Sequence, residues 1–275
     1  LGALWVGETE SRRNNVTLTS INKVDVWRLS LDLFAESLER CEAVISSSER
    51  ERGERFLSPQ HRRRYLASQG QLRWLLARYL NRPPRSLKFS RHQWGKPYLA
   101  DADLSFNISH SQDCLLIAVT QKQSIGVDVE ALHPLHSMEA MARRCFADSE
   151  LAYWEGLAED ERPKVFFRLW TLKEALVKAI GRGLGLGVKR CVYGLAPLRL
   201  LALPEECGSV DNWRVCELDV GSDFRAALCV SGGKIQVVRR NLPLDWLLTP
   251  EAAAGHGIED WSGAFQFPQA AGNDQ

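Results

Sequence analysis

The chain predicts an α+β fold of two pseudo-symmetric halves, each a long helix packed on a small, mostly antiparallel sheet. Three observations predict it. A long helical pattern over about 60–80 is followed by about three strand-like runs, and a second over about 163–180 is again followed by about three. The strands are short, alternating and separated by turn residues. At 275 residues the chain can bury a core large enough for two such units. The repeat lies in the order of elements, not in residue identity, and it places a ligand cleft between the halves. The expected division is a flexible lead over 1–22, an N-terminal half over 23–124, a C-terminal half over 125–243 and a C-terminal tail over 244–275, loop-like after Pro243 and loosely attached from Ala252.

In the first half, Val24 to Leu31 reads as a strand, and Leu33 to Val44 and Ser48 to Phe56 as helices. Ser46 with Glu49, or Ser48 with Glu51, would form a capping box. Gln60 to Leu80 is a long helix with Leu72, Leu75, Leu76, Tyr79 and Leu80 on its apolar stripe, ended by Pro83-Pro84. A short strand near Leu87 to Arg91 leads to the turn Gly95-Lys96-Pro97. In the strand Leu104 to Ser109, alternation turns Leu104, Phe106 and Ile108 to the core and Ser105, Asn107 and Ser109 outward, with His110 and Ser111 at its end. Cys114 to Thr120 is a buried strand.

The second half opens on Ile125-Gly126-Val127-Asp128-Val129-Glu130, again strictly alternating. Met138 to Phe146 and Ser149 to Leu157 read as short helices, the second capped by Asp148 or Ser149. A helix then runs from Pro163, a residue favoured in a first turn, to Gly181, a favoured C-terminal stop. Val165, Leu169, Leu172, Leu176 and Ile180 form its core stripe. The Gly-rich run 181–187 lacks the Gly-Lys-Ser/Thr ending of a phosphate-binding P-loop and follows a helix, so it is a turn. Trp213 to Val220, Phe224 to Ser231 and Lys234 to Arg239 are strand-like.

Composition narrows the function. Charged residues make up 25% and the net charge is +1, which argues against a generally basic nucleic-acid binder. No apolar run reaches bilayer length. Residues Leu1 to Gly7 are too short for a signal-peptide core and carry no basic leader. Seven cysteines without a Cys-x-x-Cys pair read as free thiols of a cytoplasmic protein. Asn107-x-Ser109-His110-Ser111 invites a hydrolase reading, but there is no nucleophile elbow and no orienting partner.

Chemistry concentrates in two stretches. Asp128 and Glu130 stand side by side on one strand face, where like charges repel, and a divalent cation removes that repulsion. Few hard oxygen ligands suit Mg²⁺, which keeps waters and shares itself with phosphates. Glu174 and Lys178, one turn apart on the second long helix, form a solvated ion pair or contribute a third acid and a base. Gly126-Val127-Asp128-Val129-Glu130, followed some forty residues later by Trp170-x-x-Lys173-Glu174-Ala175-x-x-Lys178, resembles the paired signature of the 4'-phosphopantetheinyl transferases, in their larger single-chain type. The likeness covers roughly 24–240.

That resemblance implies transfer of 4'-phosphopantetheine from coenzyme A to a serine of an apo acyl or peptidyl carrier protein. It implies Mg²⁺ on Asp128, Glu130 and Glu174, with Glu174 and Lys178 serving catalysis. It also implies that Lys96, Ser109 and His110 hold the 3'-phosphate and adenosine, that Lys173 meets a coenzyme A phosphate, and that basic residues of the first long helix, among them Arg62 and Arg73, lie near phosphate. A monomer is expected, since both walls of the cleft come from one chain. Two other classes stay open. Asp128-x-Glu130 is half of a Mg²⁺ nuclease site, though such sites carry Lys where this chain has Leu132. The other is a non-catalytic coenzyme A- or carrier-binding protein.

Overall fold

The computed structural model describes residues 23–242 and 244–248, and in it both halves run through one series of elements. The first starts with strand β1 (Lys23–Ser30), two short helices, α1 (Ala35–Glu42) and α2 (Ser47–Glu54), and the long α3 (Pro59–Leu80). A hairpin of β2 (Phe89–Arg91) and β3 (Pro97–Leu99) follows, then β4 (Ser105–Ser111) and β5 (Cys114–Thr120). The second repeats it as β6 (Ile125–Ala131), α4 (Met138–Cys145), α5 (Asp148–Glu155), the long α6 (Arg162–Ile180), the hairpin β7 (Val192–Leu195) and β8 (Leu198–Ala202), then β9 (Trp213–Leu218) and β10 (Phe224–Ser231). In each half the last strand pairs antiparallel with both the first and the penultimate. The duplication therefore begins one strand and two helices earlier than a long helix with strands after it.

Local chemistry sets the boundaries. Ser46 and Glu49 form the capping box of α2, the first of the two expected options. Ser58 caps α3 with Pro59 at its first position, and Asn81 ends it in the left-handed region at φ 51°, two residues before the prolines expected to do so. Gly181 ends α6 the same way at φ 79°, as expected. On α6, Val165 and Ile180 are only partly buried; Phe166 and Phe167 fill the core instead, in an aromatic cluster with Phe146 and Trp154.

One expectation on organisation needs correction. Strand β11 (Gln236–Asn241), counted into the C-terminal half, pairs parallel with β1, so one sheet runs β11-β1-β5-β4 and the other β6-β10-β9. The chain returns to the first half after completing the second. The start of the tail, expected to be loop-like, packs onto the first half. Trp246 and Leu247 are buried in the first core, with the Trp246 indole donating to Gln71 Oε1 at 3.2 Å and Arg40 donating to the Leu247 carbonyl at 2.7 Å. The expected lead over 1–22 and the rest of the tail lie outside the described residues.

One core lies under α3 and a second under α6, while a third joins the sheets: Val24, Val26, Leu116 and Ala118 meet Ile125, Val127, Val129 and Leu228. The seven cysteines are free, as expected, and burial pushes the Cys41 thiol up to about 12.

Candidate active site

The site begins with an approach that only glycine permits. A Cβ added at Gly126 would lie 2.0 Å from the Ala175 carbonyl oxygen and 2.4 Å from the Ala179 nitrogen. Helix α6 thus crosses β6 nearly backbone to backbone. Glu174 and Lys178 on that helix are brought over Asp128, two residues along the strand from Gly126.

The Lys178 ammonium donates to Asp128 Oδ1 at 2.7 Å, to Ser109 Oγ at 2.9 Å and to the Val127 carbonyl at 3.2 Å. Ser109 Oγ in turn donates to Asp128 Oδ1 at 2.8 Å. Glu130 accepts from Ser111 Oγ at 3.0 Å and from the Trp170 indole at 3.3 Å. Two buried carboxylate oxygens, Asp128 Oδ2 and Glu174 Oε1, have no hydrogen-bond partner. Burial, and then the neighbouring Asp128 carboxylate, raise the Glu174 carboxyl to about 7 against the opposing pull of Lys178; the same two causes raise Glu130. Among the described residues no three His, Cys, Asp or Glu side chains stand together closely enough to hold a metal ion.

Asp128, Glu130, Glu174, Lys178 and Ser109 are therefore neighbours. Ser109, expected at coenzyme A, has its hydroxyl taken up by Asp128 and Lys178. Its strand face was expected to look outward, yet Asn107 and Ser109 are buried, 4% and 8% exposed, because that face meets the other half. His110, one residue on, is exposed, and packing with the cations Lys178 and Arg64 nearby lowers its imidazole. The Lys96 ammonium donates to the Ile125 carbonyl at 2.7 Å beside the end of α6, and burial lowers it to about 8. Arg62 is exposed on the first turn of α3.

Two expected phosphate contacts are structural instead. Lys173 is wholly buried, its ammonium 2.7 Å from Glu150 Oε2 and donating to the Val188 and Cys191 carbonyls. Arg73, 3% exposed, grips both Glu49 oxygens at 2.8 and 3.1 Å and donates to the Pro84 and Leu87 carbonyls. By place in the repeat these are one device. The cation sits on the long helix, its acid is the third residue of a short helix, and the carbonyls lead into the hairpin. Glu150 Oε2 also accepts from the Ala147 nitrogen, so the residue before α5 is Ala147, not the expected Asp148 or Ser149. Both cations are committed inside the fold: Lys173 spends all three protons there and Arg73 four of its five N–H groups.

Sequence reasoning missed Asn107, Ser111, Trp170 and the role of Gly126. The period-2 face of β4 carried the signal for Asn107 and Ser111, and Trp170 lies one helical turn before Glu174. A separate groove of about 520 Å³ is lined by Arg52, Arg55, Arg91, Phe56 and Tyr65 together with Glu49 and Glu51; Asp128, Glu130 and Glu174 do not line it.

Fold, acidic strand and crossing helix together define a transferase type, and comparison with known proteins agrees. The model of the 4'-phosphopantetheinyl transferase superfamily matches residues 124–229, and that of the 4'-phosphopantetheinyl transferase N-terminal domain matches 33–122. The chain belongs to this family and is an enzyme of its larger type. It is 37% identical to 4'-phosphopantetheinyl transferase HetI of Nostoc sp. over 222 residues, 79% of this chain and 91% of the relative. It is 34% identical to 4'-phosphopantetheinyl transferase Sfp of Bacillus subtilis over 155 residues, 56% of this chain and 68% of that one. Among the described residues no helix is long and apolar enough to cross a membrane.

Proposed function

We propose that the enzyme transfers 4'-phosphopantetheine from coenzyme A to a serine hydroxyl of an apo acyl or peptidyl carrier protein, releasing 3',5'-ADP. Beyond family membership, one observation carries the reading. Asp128, with Lys178 on one of its oxygens and Glu130 and Glu174 nearby, lies where α6 crosses β6, and two buried carboxylate oxygens there, Asp128 Oδ2 and Glu174 Oε1, are left unpartnered. Unpartnered buried carboxylate oxygens are costly unless a ligand supplies the missing charge, so the donor set fits a hard divalent cation. Asp128, Glu130 and Glu174 would hold Mg²⁺, which when bound supplies neutralisation of the charge that builds on the 3',5'-ADP leaving group.

The serine oxygen bonds to the phosphorus that bears the pantetheine arm, and the bond from that phosphorus to the bridging oxygen breaks, leaving the electron pair on 3',5'-ADP. The serine proton passes to the Glu174 carboxylate. The Lys178 ammonium, its three protons held by Asp128, Ser109 and the Val127 carbonyl, sets a positive charge beside the transferring phosphoryl. His110 and Lys96 are assigned to the 3'-phosphate and adenosine end, and the Arg52–Arg55–Arg91 groove offers further cations on that half. Arg62 is kept as a secondary phosphate contact. We assign the enzyme to the cytoplasm as a monomer, with no nucleic-acid or membrane partner.

The test is mass spectrometry of an apo carrier protein incubated with coenzyme A and Mg²⁺. The wild type adds the phosphopantetheine mass, whereas folded Asp128→Ala and Glu174→Ala proteins slow transfer by about a hundredfold or more. A carrier whose mass never changes refutes the reading, and full activity of Asp128→Ala refutes the metal assignment. Dephospho-coenzyme A should show a higher KM in the wild type, a difference that His110→Ala should shrink.

A further inference from the structure

We propose that the inward face of β4 is a positioning element of this reaction, in which Ser109 and Ser111 of the first half aim the two carboxylates of β6 in the second. Strand β4 closes one sheet and β6 closes the other, so no sheet ladder joins them. Side chains from alternate residues of β4 bridge the seam instead. Asn107 Oδ1 accepts from the Val127 nitrogen at 2.8 Å, Ser109 Oγ donates to Asp128 Oδ1 at 2.8 Å, and Ser111 Oγ donates to Glu130 Oε2 at 3.0 Å.

A serine hydroxyl has one proton and two lone pairs. Each of these spends its proton on a carboxylate and a lone pair on a donor of the other half: Lys178 Nζ for Ser109 at 2.9 Å, the Ala131 nitrogen for Ser111 at 3.0 Å. With both ends engaged the hydroxyls cannot rotate, and the carboxylates they hold are fixed in turn. Fixing one oxygen of Asp128 leaves the other, Oδ2, bare and buried. Glu130 is held from two sides, by Ser111 and by Trp170. Carboxylates fixed before a ligand arrives need no ordering when it binds, which raises affinity without any new contact. The serines touch no reacting atom; they act through Asp128 and Glu130.

The inference rests on the cation reading given above, and the test separates the two. Mn²⁺ is titrated into the protein with coenzyme A but no carrier, and free Mn²⁺ is read by electron paramagnetic resonance, so no turnover is involved. Ser111→Ala should weaken Mn²⁺ about tenfold, or about 1.4 kcal/mol, with the KM for coenzyme A moving less than twofold. Ser111→Thr should recover most of the affinity, and Ser111→Val, equal in size and without the hydroxyl, should not. The Thr and Val pair decides the matter even if the Ala protein is poorly folded. Equal Mn²⁺ affinity of the Thr and Val proteins overturns the positioning role alone. A wild type that binds no Mn²⁺ overturns it together with the cation reading.

Discussion

Glu174 is the residue whose ionisation couples the fold to pH. Its carboxyl is raised from an ordinary 4.5 to about 7 by burial and by Asp128. Between those values the folded protein holds a proton that the unfolded chain has released, so stability is greatest below about 4.5 and is lost as pH rises through 7. The loss is at most about 3 kcal/mol by pH 8. Chemical unfolding of metal-free protein should therefore show a falling midpoint from pH 5 to 8, and Glu174→Gln, which carries no charge to bury, should flatten that slope. Parallel slopes in the two proteins would show that the raised pKa has some other source. The acids were legible in the sequence because strict alternation puts Asp128 and Glu130 on one face, and helical spacing pairs Glu174 with Lys178. Lys173 and Arg73 were not legible. Each is a basic residue on a helix that reads like a phosphate contact, and only the packing of a second helix supplies the buried acid that occupies it.

That pairing is a property of elements. Arg73 fastens α3 to α2, and Lys173 fastens α6 to α5. Removing one partner strands a buried charge, a loss of about 3–5 kcal/mol. Lys173→Ala should therefore lower unfolding free energy by that amount in urea titration and leave the coenzyme A KM of the remaining folded enzyme within about twofold. A large rise in that KM with intact stability would return Lys173 to the ligand. Gly126 governs the other contact of α6. Gly126→Ala drives a methyl into the helix backbone, which cannot yield as a flexible side chain can. It should cost about 3 kcal/mol or more, and by lifting α6 from β6 it should cut transfer far more than the same substitution at Gly233, where an added Cβ meets nothing. Alternation assigned Gly126 to a face but could not say that a helix backbone would lie on that face.

At the scale of the whole molecule the two halves are tied twice: by the shared core between the sheets, and by β11, which leaves β10 in the second half to pair with β1 in the first. The repeat itself was legible as an order of elements. The return of the last strand was not, because a strand run does not name its sheet partner, and parallel pairing with β1 joins residues about two hundred positions apart. The duplicated halves are also unequal in chemistry. If Val24-Asp25-Val26 on β1 is set against Val127-Asp128-Val129 on β6, and Arg73 against Lys173, then Asp25, Trp27 and Trp74 stand opposite Asp128, Glu130 and Glu174. The one acid retained there is buried against the Tyr79 hydroxyl, at 2.7 Å, and Arg240, at 3.1 Å. Arg240 comes from β11, so the strand that closes the molecule also neutralises this leftover acid. Ending the chain after Thr120 would thus leave Asp25 with Lys23, 3.6 Å away, in place of the Arg240 hydrogen bond, and the first core open where Trp246 and Leu247 had filled it. Ending it after Ile235 removes the same groups and keeps the acidic site. Calorimetry should show one cooperative transition for the chain described here and, for the chain ending at Ile235, an early melting of the first half apart from the second. Trp246→Ala alone should cost about 3–5 kcal/mol. A single unshifted transition in the shortened chain would mean that the sheet-to-sheet core suffices and that β11 contributes nothing to the union of the halves.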